Sequence, residues 1–311
     1  MDNLTLTTPD REAGGRGPKL EQAVFDLFDQ YVHGLIDRRG FLDRAASFAT
    51  TGLTAAMMLD ALSPRFAEAQ QVRKDDRRLQ AESITFDAPA GTGKVRGYLV
   101  HPVDKKGKLP GVLVIHENRG LNPHIEDITR RLALAGFLAF APDALTTLGG
   151  YPGDEDKARE LFAKLDQAKA REDFVAAVAI LGQRPECDGH VGTVGFCWGG
   201  GMVNTLATRV PALRAAVAFY GMAPDLAGVP HIKAPLQLHY AENDARINAS
   251  APDYEAALRA SHVTHEIFRY PGTQHGFNND TTPRYDKDAA ALAWKRTLDF
   301  FHKHLRGAVA R

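Results

Sequence analysis

The sequence predicts an α/β fold with a mainly parallel central sheet and helices on both faces, and three observations lead there. Beyond residue 110, short apolar runs of strand length alternate with segments of helical periodicity. Some of those runs, residues 111–115 above all, are apolar throughout, as a strand buried on both faces requires. Polar residues able to do chemistry stand just after the runs, where open parallel sheets collect their ligands. The composition can supply the core: 44% of the 311 residues are hydrophobic and 24% are charged.

The first 80 residues are of a different kind. Residues 1–20 are polar, carry Gly14-Gly15 and Gly17-Pro18, and read as disordered. From Val24, the positions Leu27, Phe28, Tyr31, Val32, Leu35 and Ile36 recur at helical spacing on one face. Then Asp37-Arg38-Arg39-Gly40-Phe41-Leu42-Asp43 resembles a twin-arginine export signal. An uncharged run, residues 45–59, follows it, and a small-x-small site, Ala67-Glu68-Ala69, follows the run. The expectation is cleavage after Ala69, with the export machinery as a partner and a periplasmic or otherwise exported product. The run is too short to span a bilayer. The alternative is an amphipathic helical extension that is retained and packs on the domain of a cytoplasmic protein. Residues 70–82 read as a linker, 83–306 as one α/β domain and 307–311 as a tail.

Within the domain, residues 83–86 and 94–100 read as an antiparallel pair joined by the turn-rich segment 88–93. Residues 111–115 form the first buried strand, and a helix over 123–135 ends at Gly136. Further strands are expected at 137–141, 191–196, 215–219, 236–240 and 265–270. Residues 154–181 carry one long helical pattern, the segment after residue 197 reads as helix, and a final helix covers 285–305.

The strand ends select the chemistry. Gly195-Phe196-Cys197-Trp198-Gly199 is a G-x-C-x-G pentapeptide between a strand and a helix. That spacing holds a hydrolase nucleophile on a strained turn, with flanking glycines relieving the crowding. Here the nucleophile is a thiol, mostly protonated at neutral pH unless a base or cation assists it. Asp244 follows one later strand and His275 another, giving the chain order nucleophile, acid, histidine of α/β hydrolases. His275 can take the thiol proton, and Asp244 can fix its tautomer and stabilise the imidazolium. The backbone N–H groups of Trp198 and Asn118 are the expected oxyanion donors.

With these residues in place, residues 83–306 resemble the dienelactone hydrolase family. The likeness rests on His116-Glu117, the run from Gly195 to Gly200, the Asp244 turn and His275-Gly276-Phe277. It implies an α/β-hydrolase fold and a Cys-His-Asp triad that opens esters or lactones through an acyl-thioester. It also implies that Glu117 is the carboxylate holding the resting thiol, which would slow thiol oxidation in an exported protein. One departure concerns the substrate. The family's dienelactone-cleaving members anchor a carboxylate with two arginines, but Asn279 stands four residues after His275 and residues 144–151 contain no arginine. An amide cannot replace a bidentate guanidinium, so a neutral or differently charged ester is expected, with Arg119 or Arg246 as the cations able to reach the pocket.

Other classes are excluded or left as alternatives. The 38 basic and 38 acidic residues balance and no basic patch stands out, so no nucleic-acid partner is expected. Cys187 and Cys197 are the two cysteines, too few for a disulfide framework, and Cys187 reads as structural. Residues 88–95 lack the first glycine and the hydroxyl of a phosphate loop, His116-Glu117 opens no H-E-x-x-H, and Cys197 interrupts any G-x-G-x-x-G. The activity therefore needs no cofactor and no metal. The alternatives are an exported binding or scaffold protein on the same fold, and an acyltransferase.

Overall fold

The structure, a computed structural model, describes residues 20–306. The start expected to be disordered, apart from Leu20, and the tail 307–311 lie outside the described residues. Among the described residues, four α-helices precede the first strand. Helix α1 (Gln22–Val32) buries Val24, Phe28 and Tyr31 on the predicted face. Helix α2 (Arg38–Ala45) opens on Asp37, whose carboxylate accepts the Gly40 N–H at 2.7 Å. Helix α3 (Ala55–Leu62) opens on Thr54, whose hydroxyl accepts the Met57 N–H at 3.2 Å, and α4 is the short Phe66–Ala69 turn. Phe28, Tyr31, Phe41, Met58, Leu59 and Leu62 form a small core of their own.

The residues of the export-like signal are folded into this unit, which we call the cap. Arg38 starts α2 and donates to Asp156 at 2.8 Å. The uncharged run is broken into a 3-10 turn (Ala46–Phe48), a bridge between Thr50 and Leu53, and the start of α3. Among the described residues, no helix is long and apolar enough to cross a membrane.

The expected linker is a strap. Gln71 and Val72 donate their backbone N–H groups to the Asp127 carboxylate at 3.1 and 2.8 Å, and strand β1 (Leu79–Ala88) begins inside the stretch. The stretch is polar, and a buried acceptor on the domain satisfies part of its backbone.

Strand β1 pairs antiparallel with β2 (Gly93–Pro102), whose register pairs Phe86 with Val95 and Ala88 with Gly93. Strand β3 (Leu109–Ile115), helix α5 (Pro123–Leu134) and strand β4 (Leu138–Pro142) follow in βαβ order. The long helical pattern is two helices, α6 (Glu155–Phe162) and α7 (Gln167–Gln183). Asp166 divides them because its carboxylate caps α7, accepting from Ala168 and Lys169 N–H at 3.0 and 3.1 Å. Then come β5 (Cys187–Phe196), α8 (Trp198–Arg209), β6 (Ala215–Phe219) and β7 (Leu236–Asn243). Helices α9 (Ala245–Asn248) and α10 (Ala251–Ala260), which the periodicity did not announce, precede β8 (His265–Gln274) and α11 (Lys287–Leu305).

The eight strands lie in the order β1-β2-β4-β3-β5-β6-β7-β8. All neighbours from β4 to β8 are parallel, while β2 meets both β1 and β4 antiparallel. Alternation along β3 shows why its run is apolar throughout. Val112 and Val114 join the layer of α5 and α11, with Ile128, Leu132 and Phe301. Leu113 and Ile115 join the layer of α7, α8 and α10, with Phe174, Val203 and Leu258. The result is an α/β-hydrolase fold whose parallel strands all end on one edge, and the cap sits over that edge.

Candidate active site

Cys197 stands between β5 and α8 with φ 56° and ψ −114°, a region that costs a non-glycine residue on the order of 1–3 kcal/mol. Its N–H donates to the Phe219 carbonyl at 3.0 Å, which ties the turn to β6. The flanking glycines are required by contact: a Cβ at Gly195 would collide with the Gly199 backbone, and one at Gly199 with the carbonyls of Ile115 and His116. Trp198 is the first residue of α8, so its N–H belongs to the turn that lacks helical acceptors. Its indole stacks on His116 at 5.4 Å and donates to Gln167 at 2.8 Å.

His275 follows β8 and Asp244 follows β7, two adjacent parallel strands. The pairing brings His275 Nδ1 to 2.6 Å from Asp244 Oδ2, with both side chains buried. Asp244 is also held by the Ile247 N–H at 3.3 Å, as the cap of α9. His275 Nε2 has no protein hydrogen-bond partner among the described residues, and a ring nitrogen of His275 lies within 4.8 Å of Cys197 Sγ. Burial pushes the Cys197 thiol up, yet the charges of His275 and His33 outweigh it and bring the pKa to about 6. Burial likewise opposes a charged His275, and Cys197 and Asp244 outweigh it, raising that pKa to about 10.

Glu117 lines the same cavity as Cys197. Its carboxylate accepts from Asn279 Nδ2 at 2.9 Å, so the amide at the expected arginine position takes up the acid. His33 of the cap reaches the thiol, with Nε2 at 3.3 Å from Sγ. The Asn118 side chain donates to the Val32 carbonyl at 2.9 Å, docking α1 over the site. Arg119 is buried beside Glu155, and its Nη1 donates to the carbonyls of Val32 and Asn118 at 3.3 and 3.0 Å. Arg246 reaches His33, with Nη2 at 2.8 Å from Nε2.

A cavity of about 480 Å³ opens beside Cys197 and His275 between cap and domain. Phe28, Tyr31, Leu59 and Phe66 wall it from the cap, and Glu117, Arg119, Tyr151 and Arg284 from the domain. Arg284 is buried, sits over the Phe28 ring at 5.1 Å, and has no protein partner for Nε or Nη1 among the described residues. Tyr220, whose ring is 4.9 Å from that of His275, also has a buried hydroxyl without a protein partner. His33, Cys197 and His275 bring three ligand-type atoms within 4.8 Å of one another. The Arg246 guanidinium lies 2.8 Å from His33 Nε2, however, and would repel a divalent cation held there. The arrangement suits proton transfer better than metal binding.

Sequence reasoning brought together Cys197, His275 and Asp244 and missed His33, Asp29 and Arg284. Nothing in the local pattern marks His33, which ends an amphipathic helix and is followed by Gly34 at φ 75°, an ordinary helix stop.

This fold with this strand-end constellation is that of an α/β hydrolase. The sequence pattern of the Dienelactone hydrolase family matches residues 95–305, and the chain belongs to that family and is a hydrolase. A second pattern, YqhI-like, matches residues 19–49, within the cap. A Synechocystis protein named "Putative carboxymethylenebutenolidase" is 34% identical over 236 residues, covering 68% of this chain and 93% of its own. The Escherichia coli "Putative hydrolase fragment YghX" is 54% identical over 114 residues, 37% of this chain and 97% of its own. Among solved structures, a "Putative Dienelactone Hydrolase" from Klebsiella pneumoniae is 30% identical with a TM-score of 0.64, covering 72% of this chain and 99% of that one.

Proposed function

We propose that this hydrolase cleaves carboxylic esters or lactones with Cys197 as nucleophile, His275 as general base and then acid, and Asp244 as the group that orients His275. The observation that carries this reading is the 2.6 Å His275–Asp244 bond, which leaves Nε2 unpartnered and directed to the site of a thiol on a strained elbow. Sulfur attacks the carbonyl carbon, the oxyanion is held by the N–H groups of Trp198 and Asn118, and the alcohol leaves with the proton taken from the thiol. Water then opens the acyl-thioester and restores the thiol. Arg284 is the cation that meets the substrate in place of the family's missing arginines, so esters bearing an anionic group are preferred.

We take the cap to be retained in the active protein, because its residues build half of the cavity wall. A native protein whose intact mass begins at Gln70 would overturn that choice and restore the export reading. The function itself is tested with a chromogenic short-chain ester and the Cys197→Ala variant. Loss of turnover by at least about 10³-fold is expected; activity surviving in the variant rules the thiol mechanism out.

A further inference from the structure

Two histidine–carboxylate pairs converge on the sulfur of Cys197. One is His275 with Asp244. The other is His33 with Asp29, carried by the last turn of α1: His33 Nδ1 donates to the Asp29 carbonyl at 2.8 Å and lies 3.2 Å from the Asp29 carboxylate, while Nε2 lies 3.3 Å from Sγ. The two imidazoles meet edge to face, with centroids 5.0 Å apart. We propose that His33 is a second proton acceptor for the Cys197 thiol, delivered by the N-terminal cap, so that the active site is assembled from two separate parts of the chain. This rests on Cys197 being the nucleophile.

The step balances within the residues present. When the proton goes to His33 rather than to His275, the S–H bond breaks, its electron pair stays on sulfur, and the proton bonds to His33 Nε2, leaving a thiolate against an imidazolium whose Nδ1–H still donates to Asp29. The leaving oxygen of the ester takes that proton as the C–O bond breaks, and the water that splits the thioester returns one to sulfur. His33 touches the reacting atom and is in that sense a catalytic residue.

The groups facing His33 decide how readily it charges. Asp29 favours the imidazolium from its own helix, and the thiolate favours it from the elbow. Arg246, from α9, opposes it: Nη2 lies 2.8 Å from the same Nε2 and donates to it while His33 is neutral. The Nε of Arg246 is 3.7 Å from Asp29 Oδ2, so the guanidinium has a carboxylate to turn to when Nε2 takes a proton. His275 beside it adds opposing positive charge when it is protonated. Arg119 is engaged with the Val32 carbonyl next door. Burial works against a charged His33, and Cys197 and Asp29 outweigh it, leaving its pKa above the ordinary histidine value.

The test is the pH dependence of Cys197 alkylation by iodoacetamide in the full-length protein, followed by mass spectrometry so that Cys187 is counted separately. His33→Ala and His33→Gln should each raise the midpoint by about one pH unit, the shift a single close charge gives. Combining His33→Ala with His275→Ala should raise it further than either alone. Phe28→Ala supplies the comparison for mere loosening of the cap: it keeps the imidazole on the helix, so alkylation should speed up at every pH while the midpoint rises less than in the His33 variants. If the His33 variants behave like Phe28→Ala, or like wild type, the proposal is wrong. Cys197→Ala separates the two readings: if it stays active, the nucleophile assignment falls with everything built on it, whereas an inactive Cys197→Ala with unmoved His33 midpoints removes only the role of His33.

Discussion

Cys197 and His275 form a coupled pair whose shifts have opposite signs, and together they define a pH window. The thiol, brought down to about 6, contributes stability that is fully present above its unfolded value and is lost as pH falls through the folded one. The imidazole, raised to about 10, contributes stability that is fully present below its unfolded value and is lost as pH rises through the folded one. The ion pair therefore persists between those limits. Turnover of a neutral ester should rise through about pH 6 and decline towards 10; a rise governed by an ordinary thiol near pH 8.5 would contradict the pairing. Arg284 gives a second prediction at this scale. Its unpartnered Nε and Nη1 can take a bidentate anion, so Arg284→Met should cost roughly 10- to 100-fold in preference for anionic over neutral esters, measured as a ratio of kcat/KM values. Equal losses on both substrates would mean that the guanidinium only packs. These residues differ in legibility. Cys197, Asp244 and His275 sit at strand ends, where a local pattern and chain order identify them. The Glu117–Asn279 bond spans 162 positions, and only the folded chain shows that the two residues meet.

At the scale of elements, the buried runs and helical faces were readable because one rule, burial on both sheet faces or on one helix face, fixes each of them. The exceptions have local causes. Asp166 interrupts the predicted single helix by capping α7, a competition between side chain and backbone that periodicity does not record. The strap before β1 looked like a linker because it is polar, yet Asp127 binds it. That carboxylate is buried, accepts the Gln71 and Val72 N–H groups, and pairs with Arg130 and Arg131. Asp127→Ala leaves two backbone donors without their acceptor and removes one carboxylate from Arg130 and Arg131, which keep the Val72 carbonyl and Asp280, and should destabilise the protein by about 2–4 kcal/mol in urea unfolding. A change below about 0.5 kcal/mol would show that the strap is held by its other contacts.

At the scale of the molecule, the α/β domain followed from the sequence because its core is laid down in contiguous apolar runs, whereas the placement of the cap did not. Amphipathicity showed that α1 buries one face, but the partner of its C-terminal end is fixed by a few polar ties scattered along the chain. Tyr31 and Arg38 both bond Asp156, the Arg65 N–H donates to the Thr281 carbonyl at 2.8 Å, and Asn118 holds the end of α1. An isolated helical unit of this size has little core, so those ties set how long the cap stays seated. Asp156 serves two of them at once and lies at the cavity wall. Asp156→Ala should therefore loosen the cap without unfolding the domain: amide exchange over α1 and α2 should rise while β3 to β7 stay protected, since local opening costs less than global unfolding. With the cap open more of the time, the substrate loses one wall of its cavity and Cys197 loses His33, so KM should rise several-fold, roughly the loss of 1 kcal/mol of binding, and kcat should fall with it. If exchange rises equally in cap and sheet, the two move as one unit, and the cavity between them is a fixed seam with no opening motion.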